Sequence, residues 1–153
     1  SQRESSAHSQ SSVDFRTTFI LGGQIMGEEP ALYLIYPEGN CIAASPETPY
    51  IQIGESKYGK PILDRMIRPH LNLYDAARCA LVSLDSTMRS NLSVGPPVDL
   101  MIYHTNSLRI PDTQRLDYST PYYVSLKESW GLQLEKAFRG LPRFPQENGG
   151  FEP

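Results

Sequence analysis

The sequence lacks a long hydrophobic run, an excess of charge of one sign, and a cysteine framework. No apolar stretch approaches the roughly 20 residues that a membrane-spanning helix needs, and no charged-then-apolar signal segment opens the chain. The chain contains 14 Lys and Arg and 17 Asp and Glu, which gives a net charge of −3. The basic residues are also scattered, which argues against nucleic acid as a partner. These absences predict a cytoplasmic protein without a membrane or nucleic-acid partner.

Metal and redox chemistry also have little support in the sequence. Only two cysteines occur, Cys41 and Cys79. Neither has a Cys-x-x-Cys or Cys/His spacing, so both are interpreted as small buried hydrophobic residues. The three histidines, His8, His70 and His104, lie far apart without a carboxylate or cysteine at ligand spacing. We therefore expect no metal site and no cofactor.

The length and composition are those of one globular domain. The chain has 153 residues, of which 39% are hydrophobic and 20% charged, and a domain of this size buries about 70% of its unfolded surface. Residues 1–12 are polar and rich in serine, and they are predicted to be a tail or loop, as are residues 146–153. The domain is expected at 13–145. Because the chain begins with Ser1 rather than Met, it is interpreted as tagged, processed or truncated.

Alternating or continuous apolar segments predict four strands in the first third of the chain. The segments are Val13–Leu21, Ala31–Tyr36, Cys41–Ala44 and Tyr50–Ile53. The tetrapeptide Tyr36–Gly39 has proline at its second position and glycine at its fourth, which is typical of a type I turn. It predicts a hairpin between the second and third strands.

After Gly54 the apolar period changes from two to about 3.6, which predicts helices. A short helix contains the stripe 62–67, with Pro61 tolerated only in its first turn. A longer helix at 73–89 has Asn72 as its N-cap.

The last third of the chain predicts two more strands and a final helix. The strands are Val98–Tyr103 and Tyr122–Val124, and the helix begins at the capping box Ser125–Glu128 and ends before Pro142. The whole order is four strands, two helices, two strands and one helix. This order favours an α+β fold with a mainly antiparallel sheet that the helices must cover.

No dinucleotide, P-loop, zincin or esterase motif occurs, but three stretches carry a family resemblance. They are FILGGQIMGEEPALYLIYPEGN, YIQIGESKYGKPILDRMI and ALVSLDSTMRSNLSVGPPVDLMIY. In these stretches, from about Val13 to Tyr103, the sequence resembles the bacterial proteasome-type peptidases of the Anbu branch. The resemblance implies an Ntn-hydrolase fold, an αββα sandwich of antiparallel sheets covered by helices. This chain resembles the part after the N-terminal catalytic strands.

The resemblance implies a nucleophile that this chain does not carry. The family's nucleophile is a threonine hydroxyl at the mature N-terminus, and the free amine, with a pKa of about 8, serves as its base. An Asp and a Lys of the same early strands assist, and none of the three has a counterpart here. Thr17 and Thr18 imitate that N-terminus but precede the hairpin, so they are interpreted as strand residues. Ser1 has no strand behind it that could hold it rigidly.

Helper residues of the family are implied in the loop after the second long helix. That loop is expected at 84–95, where Asp85, Ser90 and Ser93 are the catalytic helper candidates, although their spacing departs from the family's Asp-to-Ser pattern. The alternative interpretation is that Asp85 and Ser90 cap the end of the helix.

A second implied position is the Gly-Ser-Gly turn that begins the first long helix beside the active site. This chain has Gly54, Glu55 and Ser56 there, which we assign to the substrate groove. The alternative interpretation is that the negative charge of Glu55 only stabilises the positive end of the helix dipole.

The sequence therefore predicts a subunit of a threonine-type peptidase or amidohydrolase that acts on peptide or protein substrates. The subunit is expected to self-associate into rings or ring-like oligomers, and this chain is expected to be inactive alone. The alternatives are a non-catalytic assembly or scaffold subunit of the same fold and, more remotely, an unrelated α+β binding module.

Overall fold

The computed structural model describes residues 16–148, which form two antiparallel sheets and a group of helices. The strands are β1 (Phe19–Gly23), β2 (Ala31–Ile35), β3 (Cys41–Ala43), β4 (Val98–Leu100) and β5 (Gln114–Leu116). The helices are α1 (Lys60–Met66), α2 (Leu73–Ser90) and α3 (Pro121–Arg139), followed by a short 3-10 helix at Pro145–Asn148. The predicted α+β class with antiparallel sheets is confirmed.

Sheet A consists of β1, β2 and β3 in that order, and all of its pairs are antiparallel. The predicted hairpin between β2 and β3 is confirmed: the Gly39 amide donates to the Tyr36 carbonyl over 2.9 Å. Gly39 has a φ of +89°, a conformation that favours glycine. The first strand begins at Phe19, so Thr17 and Thr18 precede it rather than belonging to it. Ser1 and the predicted strand start at Val13 lie outside the described residues.

The strand predicted at Tyr50–Ile53 is wrong. This segment pairs with no strand of the described residues and runs beside α1 instead. The side chain of Tyr50 hydrogen-bonds to both Lys60 and Asp64 of α1. Side-chain contacts to a helix therefore replace the strand ladder that the apolar alternation predicted.

The helices α1 and α2 are confirmed close to their predicted bounds. Pro61 lies in the first turn of α1, and Asn72 caps α2 by accepting the amide of Asp75 over 2.9 Å. The N-terminus of α1 lies directly on α2, because a Cβ atom placed at Gly59 would be 2.3 Å from Oγ of Ser83.

The strand predicted at Tyr122–Val124 is also wrong, because this segment is the first turn of α3. Pro121 fixes a helical φ at the first position of the helix, and Tyr123 is fully buried against α2. The predicted capping-box residues Ser125 and Glu128 lie inside the helix. Burial of one helical face has outweighed the strand propensity of two tyrosines and a valine.

Sheet B pairs β4 with β5 and carries the centre of the core. Leu81 of α2, Leu116 of β5 and Tyr123 of α3 form the buried cluster, with Val98, Leu100 and Leu126 packed against it. Helices α2 and α3 therefore cover sheet B as predicted. The other main contacts of the helices are with one another, α1 with α2 and α2 with α3, and none comparable is made with sheet A among the described residues.

Within residues 16–148, none of the helices combines the length and hydropathy that crossing a membrane requires.

Candidate functional site

The turn before α1 and the loop after α2 meet through one hydrogen bond. Nδ2 of Asn91 donates to Oε2 of Glu55 over 3.3 Å, across 36 residues of chain. Asn91 follows the last residue of α2, and its backbone N–H donates to the Thr87 carbonyl over 2.8 Å. Glu55 is the middle residue of the predicted groove turn Gly54–Ser56. The structure thus joins the predicted groove turn to the predicted helper loop. The residue that joins them, Asn91, was not among the residues that the resemblance implied.

The side-chain oxygen of Asn91 makes two hydrogen bonds to Ser93. Oδ1 of Asn91 accepts the Ser93 hydroxyl over 2.7 Å and the Ser93 amide over 2.9 Å. A backbone N–H can only donate, so these bonds fix Oδ1 toward Ser93 and Nδ2 toward Glu55. The hydroxyl hydrogen of Ser93 is engaged, which leaves its oxygen free to accept a hydrogen bond from a cationic donor.

Glu55 also has a local role in its own turn. Its Oε1 accepts the amide of Lys57 over 3.1 Å, and both Glu55 and Asn91 are half-buried. Gly54 adopts a φ of +80°, so a side chain there would be strained. The turn therefore has a defined shape, and its carboxylate is held toward the loop that follows α2.

Two of the remaining sequence candidates flank this pair. Ser90 is the last residue of α2 and is exposed. Ser56 is half-buried, and its carbonyl accepts the amide of Lys60, the first residue of α1, over 3.1 Å. Both serines adjoin the linked residues along the chain.

Asp85 does not belong to this arrangement. The predicted loop at 84–95 is too long, because α2 continues to Ser90 and Asp85 lies inside it. Its carboxylate is 2% exposed and faces two cations: Oδ1 is 3.4 Å from Nζ of Lys127 on α3, and Oδ2 is 3.1 Å from Nε of Arg89. The helix-capping alternative does not describe Asp85 either, since its partners are side chains and its position is five residues before the helix end.

Lys127 completes a cluster that joins α2 to α3. Its Nζ lies 4.9 Å from the ring centre of Tyr118 and 5.3 Å from that of Tyr123. Burial, followed by the nearby Asp85 charge, raises the pKa of the Tyr123 phenol. That phenol donates to Sδ of Met88 over 3.4 Å. No spacing in the sequence predicts this cluster, because the end of α2, two strands, three loops and the first part of α3 separate Lys127 from Asp85.

A third cluster of polar side chains, at the surface, connects Tyr50 to α1 by hydrogen bonds. Nζ of Lys60 is 2.9 Å from Oη of Tyr50 and 2.9 Å from Oδ1 of Asp64. Hydrogen bonds from Tyr50 and Lys60 lower the pKa of Asp64, while burial and the hydrogen bond to Asp64 raise the pKa of Tyr50. The hydrogen bond to Tyr50 is the main cause that raises the pKa of Lys60. At neutral pH neither the phenol nor the amine is activated as a nucleophile or base.

The cysteines and histidines form no joint site in the described part of the chain, where no three His, Cys, Asp or Glu side chains converge as a metal site would need. Cys79 is buried as predicted, and burial raises the pKa of its thiol. The prediction that Cys41 is buried is wrong, because it lies on β3, whose residues are all exposed. His104 lies beside the Tyr74 ring, with ring centres 6.2 Å apart, and His8 is outside the described residues.

Neither a protein-family model nor a curated protein matches the chain, but solved structures do. The Anbu protein in a helical assembly of the Anbu complex from Pseudomonas aeruginosa is 50% identical, with a TM-score of 0.84 over 88% of this chain. Anbu from Hyphomicrobium sp. strain MC1 is 50% identical with a TM-score of 0.81 over 86% of this chain. Anbu (ancestral beta-subunit) from Yersinia bercovieri is 49% identical with a TM-score of 0.82 over 86%. This chain spans little more than half of those proteins: 56%, 56% and 55% of their respective lengths.

Proposed function

Because the chain belongs to the Anbu branch of proteasome-like proteins, we propose that it forms part of a cytoplasmic N-terminal-threonine peptidase or amidohydrolase. The observation that carries the proposal is 50% identity at a TM-score of 0.84 to an Anbu protein. Since the chain spans 56% of that protein, the activity is assigned to the whole subunit. The substrates are peptides or proteins, no cofactor is required, and the nucleophile is contributed from outside this chain.

The proposed reaction is acyl transfer to a threonine hydroxyl. The hydroxyl oxygen attacks the substrate carbonyl, and the free N-terminal amine takes the hydroxyl proton. Backbone amides stabilise the oxyanion, and the protonated amine returns the proton to the leaving amine. Water then hydrolyses the resulting ester and frees the threonine.

Ser93 is proposed to assist by accepting a hydrogen bond from the N-terminal amine when that amine is protonated. Support comes from the bond of its hydroxyl hydrogen to Asn91, which leaves the lone pairs of the oxygen available as acceptors. Asn91 in turn is held by Glu55, so the carboxylate orients the serine through the amide. Ser90 is the alternative hydroxyl, one residue before Asn91.

The other predicted site residues receive supporting roles in the same proposal. Asp85 acts at a distance, by fixing α2 against α3 through Lys127. Gly54, Glu55 and Ser56 form one wall of the substrate groove, where the exposed backbone of Gly54 is accessible to an extended peptide.

We further propose that the complete subunit self-associates into rings or ring-like oligomers. The helical assembly of the Anbu protein from Pseudomonas aeruginosa supports self-association.

Hydrolysis of a fluorogenic peptide amide tests the proposal. The chain alone is expected to be inactive, and the chain co-expressed with the part of the Pseudomonas aeruginosa Anbu protein that it does not match is expected to hydrolyse the peptide. In that complex, Ser93→Ala should lower kcat/KM by about tenfold to a hundredfold, since a positioned proton-transfer partner contributes on this scale. Ser107→Ala, at an exposed serine outside this arrangement, is the matched control and should leave the rate unchanged.

The opposite results separate the alternatives. A complex that neither hydrolyses peptides nor reacts with an epoxyketone probe supports the non-catalytic assembly subunit instead. Equal rates for Ser93→Ala and the unmodified chain would remove Ser93 from the mechanism while leaving the peptidase in place.

A further inference from the structure

Lys60, the first residue of α1, holds the segment 50–56 at both of its ends. Its backbone N–H donates to the Ser56 carbonyl over 3.1 Å, and its Nζ donates to Oη of Tyr50 over 2.9 Å. The ammonium also lies 5.3 Å from the centre of the Tyr50 ring. One helical residue therefore closes the chain from Tyr50 onward into a loop, and the groove turn 54–56 lies within that loop.

The Tyr50 hydroxyl makes two hydrogen bonds to α1, one as donor and one as acceptor. Its hydrogen is donated to Oδ1 of Asp64 over 2.5 Å, and its oxygen accepts the bond from Lys60, whose ammonium can only donate. The two carboxylate oxygens of Asp64 lie 2.9 and 3.1 Å from Nζ of Lys60, one helical turn away. The helix thus presents both partners at a fixed spacing, and removal of the hydroxyl removes both bonds at once.

The bonds of Tyr50 differ in kind from the ion pair between its two partners. Lys60 and Asp64 are about half exposed, at 55% and 50%, and such a pair on one helix contributes little to stability by itself. Tyr50 is 10 and 14 residues away from these partners along the chain, so its bonds attach a separate segment to the helix. Hydrogen bonds to charged groups are also stronger than those between neutral groups. Their loss should therefore displace the segment without unfolding the helix.

The groove turn is located from two directions. On one side, Tyr50 attaches the preceding segment to α1, and within residues 16–148 the backbone of 50–54 takes part in no hydrogen bond. On the other side, Glu55 accepts the side-chain amide of Asn91 over 3.3 Å. Gly54, with a φ of +80°, lies between the two attachments. The position of the turn therefore depends on the Tyr50 side chain as well as on Asn91.

We propose that Tyr50 is a positioning residue for substrate binding, which acts through the turn 54–56 and is itself fixed by Lys60 and Asp64. The inference rests on the proposed function, because the groove role of the turn belongs to that proposal. Tyr50 sets the position of one groove wall, whereas Ser93 acts on the N-terminal amine. Loss of the Tyr50 hydroxyl should therefore weaken substrate binding and leave the chemical step unchanged.

Peptide hydrolysis measures the two effects separately in the chain co-expressed with the part of the Pseudomonas aeruginosa Anbu protein that it does not match. Tyr50→Phe is expected to raise KM about threefold to tenfold with kcat unchanged, the pattern of a lost contribution to binding. Tyr58→Phe is the matched control and should change neither constant, since Tyr58 is exposed and its hydroxyl has no hydrogen-bond partner within 16–148. An unchanged KM for Tyr50→Phe overturns the proposal, as does a loss confined to kcat.

A double-mutant cycle tests whether the three side chains act together. Asp64→Asn keeps the shape of the side chain and removes its charge, so it should raise KM by a factor similar to that of Tyr50→Phe. The variant with both substitutions should be no worse than either single variant, because each removes the same contact. Multiplied effects would show that Tyr50 and Asp64 act independently, and they overturn the proposal.

Hydrogen exchange in the chain alone separates this proposal from the peptidase. The Lys57 and Lys60 amides donate to residues of the turn 54–56, so their exchange with solvent reports its position. Tyr50→Phe should speed this exchange at least about threefold, and Tyr58→Phe should leave it unchanged. Circular dichroism should show intact helices in both variants.

The exchange result stands whether or not peptides are hydrolysed. Equal exchange in Tyr50→Phe and Tyr58→Phe overturns the proposal even in an active peptidase. Faster exchange in Tyr50→Phe, in a protein whose complex hydrolyses no peptide, supports the positioning of the turn by Tyr50 and contradicts the peptidase.

Discussion

Asn91 illustrates how much of the candidate site depends on a single uncharged side chain. The side-chain amide of Asn91 hydrogen-bonds to the carboxylate of Glu55, 36 residues earlier in the chain, and to the hydroxyl of Ser93, two residues later. The resemblance identified Glu55 and Ser93, but no spacing rule connects them, because their contact depends on how α1 and α2 pack. Two of the three linked residues were therefore candidates from the sequence, whereas Asn91 and the hydrogen bonds that it makes were not.

Gly59 is the position where a single methyl group should disturb the packing most. A Cβ there would lie 2.3 Å from Oγ and 2.9 Å from the backbone oxygen of Ser83, so α1 must move away from α2. We expect Gly59→Ala to lower the free energy of unfolding by about 1–3 kcal/mol in urea denaturation. In α3, Gly131→Ala is the matched control: its nearest contact is 4.0 Å away, and it should gain up to about 1 kcal/mol. A neutral Gly59→Ala would contradict the close approach.

The Asp85 cluster provides a second prediction at this scale. Lys127→Met leaves a buried carboxylate with Arg89 as its remaining cation, and we expect a loss of about 1–3 kcal/mol in the free energy of unfolding. Arg139→Met breaks an exposed pair with Glu135 on the same helix and should change stability by less than about 0.5 kcal/mol. Equal effects of the two substitutions in urea denaturation would show that the Asp85 contacts do not join α2 to α3.

Among the elements, helices with a cap and a clear stripe were predictable, and so were the short strands β3 and β4, although β4 ends at Leu100 rather than at Tyr103. The Asn72 cap and the long apolar period located α2 to within one residue at its end. The strand β5 was missed because Gln114–Leu116 is too short to show alternation. The segment at 122–124 has strand propensity, and its helical state is decided by Pro121 and by the burial of Tyr123, which only the packed structure reveals.

The second half of α3 differs from the first half in its surroundings. Residues 126 and 127 are half-buried, whereas every residue from 132 to 139 is exposed. A helix without tertiary packing is marginal in water, so amides at 135–139 should exchange with solvent far faster than those at 80–88 in α2. Hydrogen exchange followed by mass spectrometry measures the difference in the chain alone. Comparable protection of the two segments would mean that α3 is covered in solution.

At the scale of the whole molecule, the buried core is small for the length of the chain. Six apolar residues are buried within 16–148: Leu63, Cys79, Leu81, Val82, Leu116 and Tyr123. The length and composition predicted a domain that buries about 70% of its unfolded surface. Composition counts hydrophobic residues, but it does not show which of them pack against a partner. The class of fold was predictable from element order, whereas the exposure of Phe19, Leu21 and Ile42 on the two faces of sheet A was not.

The small core predicts low stability for the chain alone. We expect a free energy of unfolding below about 5 kcal/mol, the lower limit of ordinary domains, and strong binding of the dye ANS to the open sheet. Urea denaturation and ANS fluorescence measure the two quantities. Leu21→Asp should reduce the dye signal severalfold, whereas Leu132→Asp should not. A sharp transition at high urea without dye binding would contradict this expectation.

The hydrogen bond between Glu55 and Asn91 also closes the chain between them into one loop. Residues 56–90 leave and re-enter the rest of the molecule at two adjacent points. Leu81 and Asp85 within this loop contact sheet B and α3, so the helical hairpin is held both at its ends and along α2. A change in the length of the hairpin is therefore tolerated best between α1 and α2, away from both points of attachment.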